Sequence, residues 1–162
     1  MELSRLKELL HYCPATGNFT WIKKANHKIS VGKKAGHLSS RGYIAIRIDG
    51  RQYQAHRLAA LYMTGNMPPE DIDHINHQKT DNRWDNLRLV SRAENNKNRP
   101  VMRNNKTGVV GISHYDGFWE AGIRVNRKRY HLYYGRDFFE ACCARKSAEI
   151  EHGFHTNHGA MA

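Results

Sequence analysis

"DIDHINHQKTDNRWDNLRLVSRAEN", residues 71–95, sets two short apolar runs around a polar centre crowded with aspartates, asparagines and two histidines. "IDHI" and "LRLV" have the length and apolar content of short strands, and Ser91 with Glu94 forms the S-x-x-E capping box that opens a helix over about 92–98. The resulting order is strand, polar loop, strand, helix. Asp73 and His74 then leave the first strand, and Asn95 projects from the early turns of the helix, where free amides and the helix dipole favour an anion such as phosphate. So polar a segment buries little, which points to chemistry or binding rather than core building.

Upstream, Leu3, Leu6, Leu9 and Leu10 recur at helical spacing and "NFTWI" alternates after the "PATG" turn, predicting a short helix followed by a strand. A basic loop, "KKANHKISVGKKAG" (23–36), follows and is expected to be mobile, a solvated surface being the alternative reading. "GYIAIRIDGRQYQAHRL" carries a hairpin signal: Ile44, Ile46 and Ile48 alternate, and Asp49-Gly50 supplies the left-handed residues of a two-residue turn. "HRLAALYMTG" reads as a helix stopped at Gly65.

Past Arg99-Pro100 the polar "VMRNNKTG" marks a domain boundary. "GVVGIS", "FWEAGIRV" and "RKRYHLYY" read as three successive strands, and a helix begins at Asp137, whose side chain caps it while Glu140 sits at the capping-box position. Ala141, Ala144 and Ala148 give that helix a small-residue face.

The 162 residues carry 26 Lys and Arg against 15 Asp and Glu, a net +11 with a pI near 9.8, so a polyanion is the natural partner. No run approaches the ~18 apolar residues a membrane helix needs, and the amphipathic "MELSRLKELLHYC" start differs from a signal peptide, so a cytoplasmic protein is expected. Cys13, Cys142 and Cys143 lack C-x-x-C spacing, which supports neither a disulfide framework nor a cysteine zinc site.

Asp73-His74, then Asn86 in "DNLRLV" and Asn95 in "AEN", at +12 and +21 from His74, resemble the HNH endonuclease motif in its His-Asn-Asn form, carried by phage and intron-encoded homing endonucleases. "AHRLAALYMTG" resembles the lead-in to that motif. The resemblance implies a ββα-metal finger in which His74 is the general base, Asp73 and Asn95 are metal ligands, and Asn86 orients the imidazole. The chemistry agrees. Phosphodiester hydrolysis needs a base of near-neutral pKa and a cation beside the leaving oxygen. One carboxylate and one amide oxygen suit a hard ion that keeps several waters, magnesium (Mg2+) first and manganese (Mn2+) as the alternative. A zinc site from His56, His74 and His77 stays open beside it, although no ordered spacing argues for it. His56 otherwise reads as a packing residue, and Asn76 and His77 as a tight polar turn.

From Thr107 onward the chain resembles the plant ethylene-response-factor (Apetala-two) DNA-binding domain, on "WEAGIR" as its second strand and "EACCARKSAE" as its helix. The resemblance implies a three-stranded sheet backed by one helix, with the outer sheet face in the DNA major groove; Tyr133 and Gly135 depart from the family's order. Alternation puts Trp119, Ala121, Ile123 and Val125 on the core side and Glu120, Gly122 and Arg124 on the other. Arg124 is then placed to read a guanine edge, while Arg127, Lys128 and Arg129 around the turn suit phosphates, a solvated basic turn being the alternative. Lys33, Lys34 and Arg51 complete the expected DNA contacts.

The expectation is an α+β chain: a ββα-metal HNH nuclease unit over 1–100, a linker over 101–107, and over 108–158 a small three-stranded antiparallel sheet backed by one helix. Its expected function is metal-dependent cleavage of double-stranded DNA, as a monomer that nicks one strand at a recognised site, in the host cytoplasm if phage-encoded. A DNA-binding regulator with an inactive nuclease unit is the competing reading.

Overall fold

The computed structural model describes residues 1–25, 27 and 29–160, apart from the Ala93 side chain. Asn26 and Lys28, inside the expected basic loop, lie outside the described residues. The chain divides into two compact units, Met1–Ser91 and Arg92–Ala162.

In the first unit, α1 (Leu3–Leu9) uses the three-four spacing of its leucines to bury Leu6 and Leu9. The helix does not extend through Leu10. There the burial period changes to two, with Leu10 and Tyr12 buried around an exposed His11, and β1 (Leu10–Cys13) pairs antiparallel with β2 (Asn18–Trp21). The sequence reading missed β1 because Leu10 satisfies both periods. The end of the basic loop is tied down: Trp21 N donates to Lys33 O (3.0 Å) and Ala35 N to Phe19 O (2.7 Å), with Ala35 buried.

The second sheet has the order β3 (His37–Leu38), β4 (Ile44–Ile48), β5 (Arg51–Gln54). Asp49 and Gly50 join β4 to β5 with φ of +47° and +79°, the two left-handed residues that the hairpin signal predicts. Helix α2 (Ala55–Thr64) follows at once, and Gly65 ends it in the left-handed conformation with its N–H on Leu61 O (3.0 Å). Leu6, Phe19, Ile46, Leu58 and Leu61 meet in the core of this unit, each worth roughly 1.5–3 kcal/mol on burial. Against that core the chain lays β6 (Asp71–His74) and β7 (Leu87–Val90), which pair antiparallel with His74 opposite Leu87 and Asp73 opposite Arg88.

The second unit begins with α3 (Arg92–Asn95) and a 3-10 turn over Asn96–Asn98, together spanning the helix expected at 92–98. β8 (Ile112–Tyr115), β9 (Phe118–Val125) and β10 (Lys128–Gly135) form an antiparallel sheet of order β10-β9-β8, backed by α4 (Phe138–Glu151). β8 starts four residues later than "GVVGIS" suggests, because Gly108 and Gly111 hold positive φ (+75° and +79°) and keep the preceding stretch a turn. Asp137 caps α4 by accepting from Phe139 N (2.7 Å) and Glu140 N (3.0 Å). Of the expected core side, Ala121 and Ile123 are buried and Trp119 packs against the cluster of Ile112, Ala121 and Ala141 and against Phe138 at 4.6 Å between ring centroids, whereas Val125 is half-buried and Gly122, expected on the opposite face, is buried. A register shift between His131 and Tyr133 falls beside the position where the sequence departs from the Apetala-two pattern.

The compact units divide at 91/92, ahead of the boundary expected at 100. The cause is backbone pairing with the C-terminal tail: His155 N donates to Lys97 O (3.1 Å), Gly159 N to Arg99 O (2.8 Å) and Val101 N to Ala160 O (3.1 Å). Within the expected linker, Asn105 Oδ1 accepts from Thr107 N (3.0 Å) and Gly108 N (2.7 Å), so residues 101–107 are structured as part of this unit.

Candidate active site

His74 ends β6, buried to 5% exposure, and its Nε2 lies 3.2 Å from Asn82 Oδ1. The Asn82 amide nitrogen donates to Thr80 O (3.4 Å), which leaves its oxygen facing the ring. An amide oxygen only accepts, so Nε2 carries the proton and Nδ1 is the basic nitrogen. Burial pushes the imidazole pKa below its ordinary value, against the raising influences of the Asn82 hydrogen bond and the Asp73 carboxylate, and so favours the neutral form that can accept a proton.

Asn82 was not among the expected site residues. Its signal is in the sequence, where "DNRWDN" repeats an Asp-Asn pair at 81–82 and 85–86 and only the second was read as functional. The core holds this residue in place. Tyr12 Oη donates to Asn82 O (2.7 Å), and Gly17, at φ +71°, brings the β1–β2 turn so close to the Asn82–Arg83 peptide that a Cβ there would overlap it.

Asn86 was expected to bond the imidazole directly, and here the structure differs. Its Nδ2 donates to Asn76 Oδ1 (2.9 Å) and to Asp81 O (2.8 Å), and its Oδ1 accepts from Asn76 N (3.0 Å). Asn86 therefore clamps the 76–81 loop, and Asn82 meets the ring. The reason is register: with His74 opposite Leu87, Asn86 precedes the paired residues and faces the loop that closes the β6–β7 hairpin. Asn76 also donates to Asp81 Oδ2 (2.8 Å) and accepts from Gln78 N (2.9 Å), while His77 takes φ +64°, which forms the tight polar turn expected there. Hydrogen bonds from Arg83, with a smaller one from Asn76, hold Asp81 down at about 2, so the loop's anion stays charged.

Asp73 is buried, and its Oδ2 accepts from Arg88 Nε (3.0 Å) and Nη2 (2.8 Å) across the β6–β7 ladder. A cation at Asp73 would share the carboxylate with Arg88. Among the described residues no group of three or more His, Cys, Asp or Glu side chains is arranged to hold a metal, so the zinc site from His56, His74 and His77 is not formed. The donor chemistry fits a hard cation that takes a single protein carboxylate and fills its remaining positions with waters or substrate oxygens. Asn95, the other expected ligand, is half-buried on α3 in the second unit.

His56, on α2, is only 5% exposed, and its ring meets the His74 ring edge-on at 5.1 Å between centroids, with Tyr43 5.0 Å away. Among the described residues its buried Nδ1 has no hydrogen-bond partner. Burial, followed by the nearby His74 and Arg57, drives its pKa down to about 3. It packs, as expected, but it packs on the site and stays neutral there.

The expected DNA contacts are all exposed: Lys33, Lys34 and Arg51 on the first unit, Arg124, Arg127, Lys128 and Arg129 on the second. Arg129 pairs with Glu120 (2.8 Å), and Lys128 Nζ lies over the Tyr130 ring at 5.3 Å.

The family model described as HNH endonuclease matches residues 53–97, from β5 to the 3-10 turn, a segment that includes Asp73, His74, Asn82, Asn86 and Asn95. Residues 53–97 thus carry an HNH endonuclease domain. Two uncharacterized HNH endonucleases of Acanthamoeba polyphaga mimivirus are similar to the chain. One is 34% identical over 107 residues, covering 58% of this chain and 26% of the relative; the other is 33% identical over 99 residues, covering 60% and 51%. The chain spans about a quarter and about half of the lengths of these relatives. No solved structure matches. Among the described residues no helix is long and apolar enough to cross a membrane.

Proposed function

We propose that the protein is a metal-dependent DNA endonuclease of the HNH homing type, hydrolysing a phosphodiester of double-stranded DNA. The observation that supports it most is the buried His74 with its Nε2 3.2 Å from the Asn82 amide oxygen. His74 Nδ1 takes a proton from a water as that water's oxygen attacks the phosphorus; the P–O bond to the sugar oxygen breaks, and that oxygen leaves with the bonding electrons. The imidazolium formed is stabilised by the Asn82 oxygen and the nearby Asp73 carboxylate, both of which favour the charged ring. Asn86 acts as a positioning residue by fixing the loop that carries Asn82. Asp73 and Asn95 would hold the metal, magnesium or manganese, which when bound supplies positive charge at the leaving oxygen.

The sheet of the second unit serves in this reading as an Apetala-two-like recognition module. Arg124 reads a base edge, and Arg127, Lys128 and Arg129 hold phosphates, as do Lys33, Lys34 and Arg51 on the first unit. One Asp-His…Asn…Asn constellation per chain attacks one phosphodiester per bound geometry, so a monomer nicks one strand, in the cytoplasm, that of the host cell if the chain is phage-encoded.

The test is cleavage of a duplex end-labelled on each strand, with protein well below DNA. The expected result is early cutting of a single strand, abolished by EDTA and by His74→Ala, with duplex affinity nearly kept in the variant. Cleavage by His74→Ala at close to the wild-type rate would remove His74 as the base. A chain that binds duplex DNA yet never cuts it would favour the DNA-binding regulator.

A further inference from the structure

The second unit contains an open groove of about 1020 Å³ between the 92–99 segment, the end of the sheet and the C-terminal tail. One wall carries Arg92, Lys97 and Arg99, the other Arg124, Arg127 and Arg129, and among the described residues no Asp or Glu lines it. Its floor is apolar, with Ile112, Ile123 and Phe154 among the lining residues.

These cations differ in how far the protein itself satisfies them. Arg145, behind the groove, is buried and donates to Glu149 Oε1 (2.8 Å) and Gly122 O (2.6 Å), so its charge is used internally. Arg129 is paired with Glu120, and Lys97 Nζ donates to His152 O (2.7 Å). The exposed guanidinium groups of Arg92, Arg99, Arg124 and Arg127 have no ion pair or hydrogen bond among the described residues. Four like charges gathered around one depression repel each other, and an anion placed between them relieves that repulsion.

Two further features point the same way. Arg127 occupies the second position of the two-residue β9–β10 turn at φ +67°, after Asn126 at +50°. Glycine suits that position, and an arginine accepts backbone strain to stand at the rim. The opposite wall is held rigid at Lys97 and Arg99 by the tail, through the backbone bonds to His155 and Gly159 and through Arg99 N donating to His158 Nδ1 (3.3 Å).

We infer that this groove seats the sugar–phosphate backbone of the DNA, with Arg92 and Arg99 on one side and Arg127 on the other bonding phosphate oxygens, while Arg124 beside them faces the bases. This rests on the reading of double-stranded DNA as the substrate. It adds to that reading a phosphate-binding role for the 92–99 segment, the same segment that carries Asn95. Because phosphates carry no sequence information, the groove contributes register and affinity in equal measure on any duplex.

The test compares full-length wild type, Arg92→Gln/Arg99→Gln, and a control of equal charge loss, Arg103→Gln/Lys106→Gln, whose exposed side chains lie outside the groove. Fluorescence anisotropy with two duplexes of unrelated sequence is read across a salt series. Each lost phosphate contact lowers the slope of log affinity against log salt by about 0.9. The groove variant should therefore lose about two in slope on both duplexes, and the control less than half of that. Equal losses in the two variants would mean that only net charge matters, and a loss confined to one duplex would mean base reading; either overturns the groove. A wild type without salt-dependent duplex binding would instead overturn the DNA reading itself, and the groove with it.

Discussion

Replacing His56 by phenylalanine should flatten the acid sensitivity of the first unit. His56 is held neutral in the fold, with its pKa lowered from 6.5 to about 3. A histidine lowered in this way leaves stability intact above its ordinary pKa and removes it as pH falls below that value, because the unfolded chain takes up a proton that the folded one refuses. Between about pH 7.5 and pH 5 the unfolded ring gains nearly a full proton and the folded ring almost none, a loss of about 2 kcal/mol. His74 acts in the same direction, and Asp81, lowered from 3.8, loses its contribution only at more acid pH, outside this window. Both remain in the variant and cancel from the comparison. Phenylalanine also removes the unpartnered Nδ1 and adds bulk, effects of about 1–3 kcal/mol each and of opposite sign, but neither depends on pH. The assay is urea unfolding at the two pH values, read by hydrogen exchange of α2 peptides so that the first unit alone is followed. Wild type should lose about 2 kcal/mol more than the variant between the two conditions. Equal losses would show that His56 can protonate within the fold, and the packing of its ring on His74 would have to be abandoned.

Asn82→Ala should slow cleavage roughly ten- to a hundredfold while leaving duplex affinity unchanged, since it frees the His74 tautomer without touching a DNA contact; a single-turnover rate within twofold of wild type would refute the orienting role. Gly17→Ala should destabilise the first unit by at least about 1–2 kcal/mol from the left-handed backbone alone, and further through overlap with the Asn82–Arg83 peptide. A urea midpoint equal to that of wild type would rule out that close approach.

The elements that local chemistry controls were legible in the chain. Asp49-Gly50 fixed a hairpin because both residues tolerate positive φ, Gly65 ended α2, Asp137 opened α4, and the alternation of Trp119, Ala121 and Ile123 assigned a sheet face before any contact was known. Asp73 and His74 were legible for a similar reason: they lie side by side at the end of one strand, so sequence spacing nearly equals spatial spacing. What spacing cannot convey is which distant group fills the room beside them. Asn82 rather than Asn86 meets the imidazole because β6–β7 register turns Asn86 into the loop, while Tyr12 and Gly17, some 70 residues upstream of Asn82 in the case of Tyr12, hold Asn82 against the ring. His56 becomes part of the site only when α2 brings its ring against His74, and its burial there, by excluding water, keeps the ring neutral. The unit boundary followed the same rule. Composition marked a polar linker after Pro100, but backbone pairing between 97–101 and the C-terminal tail, invisible to any local window, drew that stretch into the second unit. Local sequence determines where the backbone turns and which face is apolar, because those depend on single-residue sterics and on period; side-chain partners and domain edges depend on which distant surfaces exclude water together, and only the tertiary structure settles that.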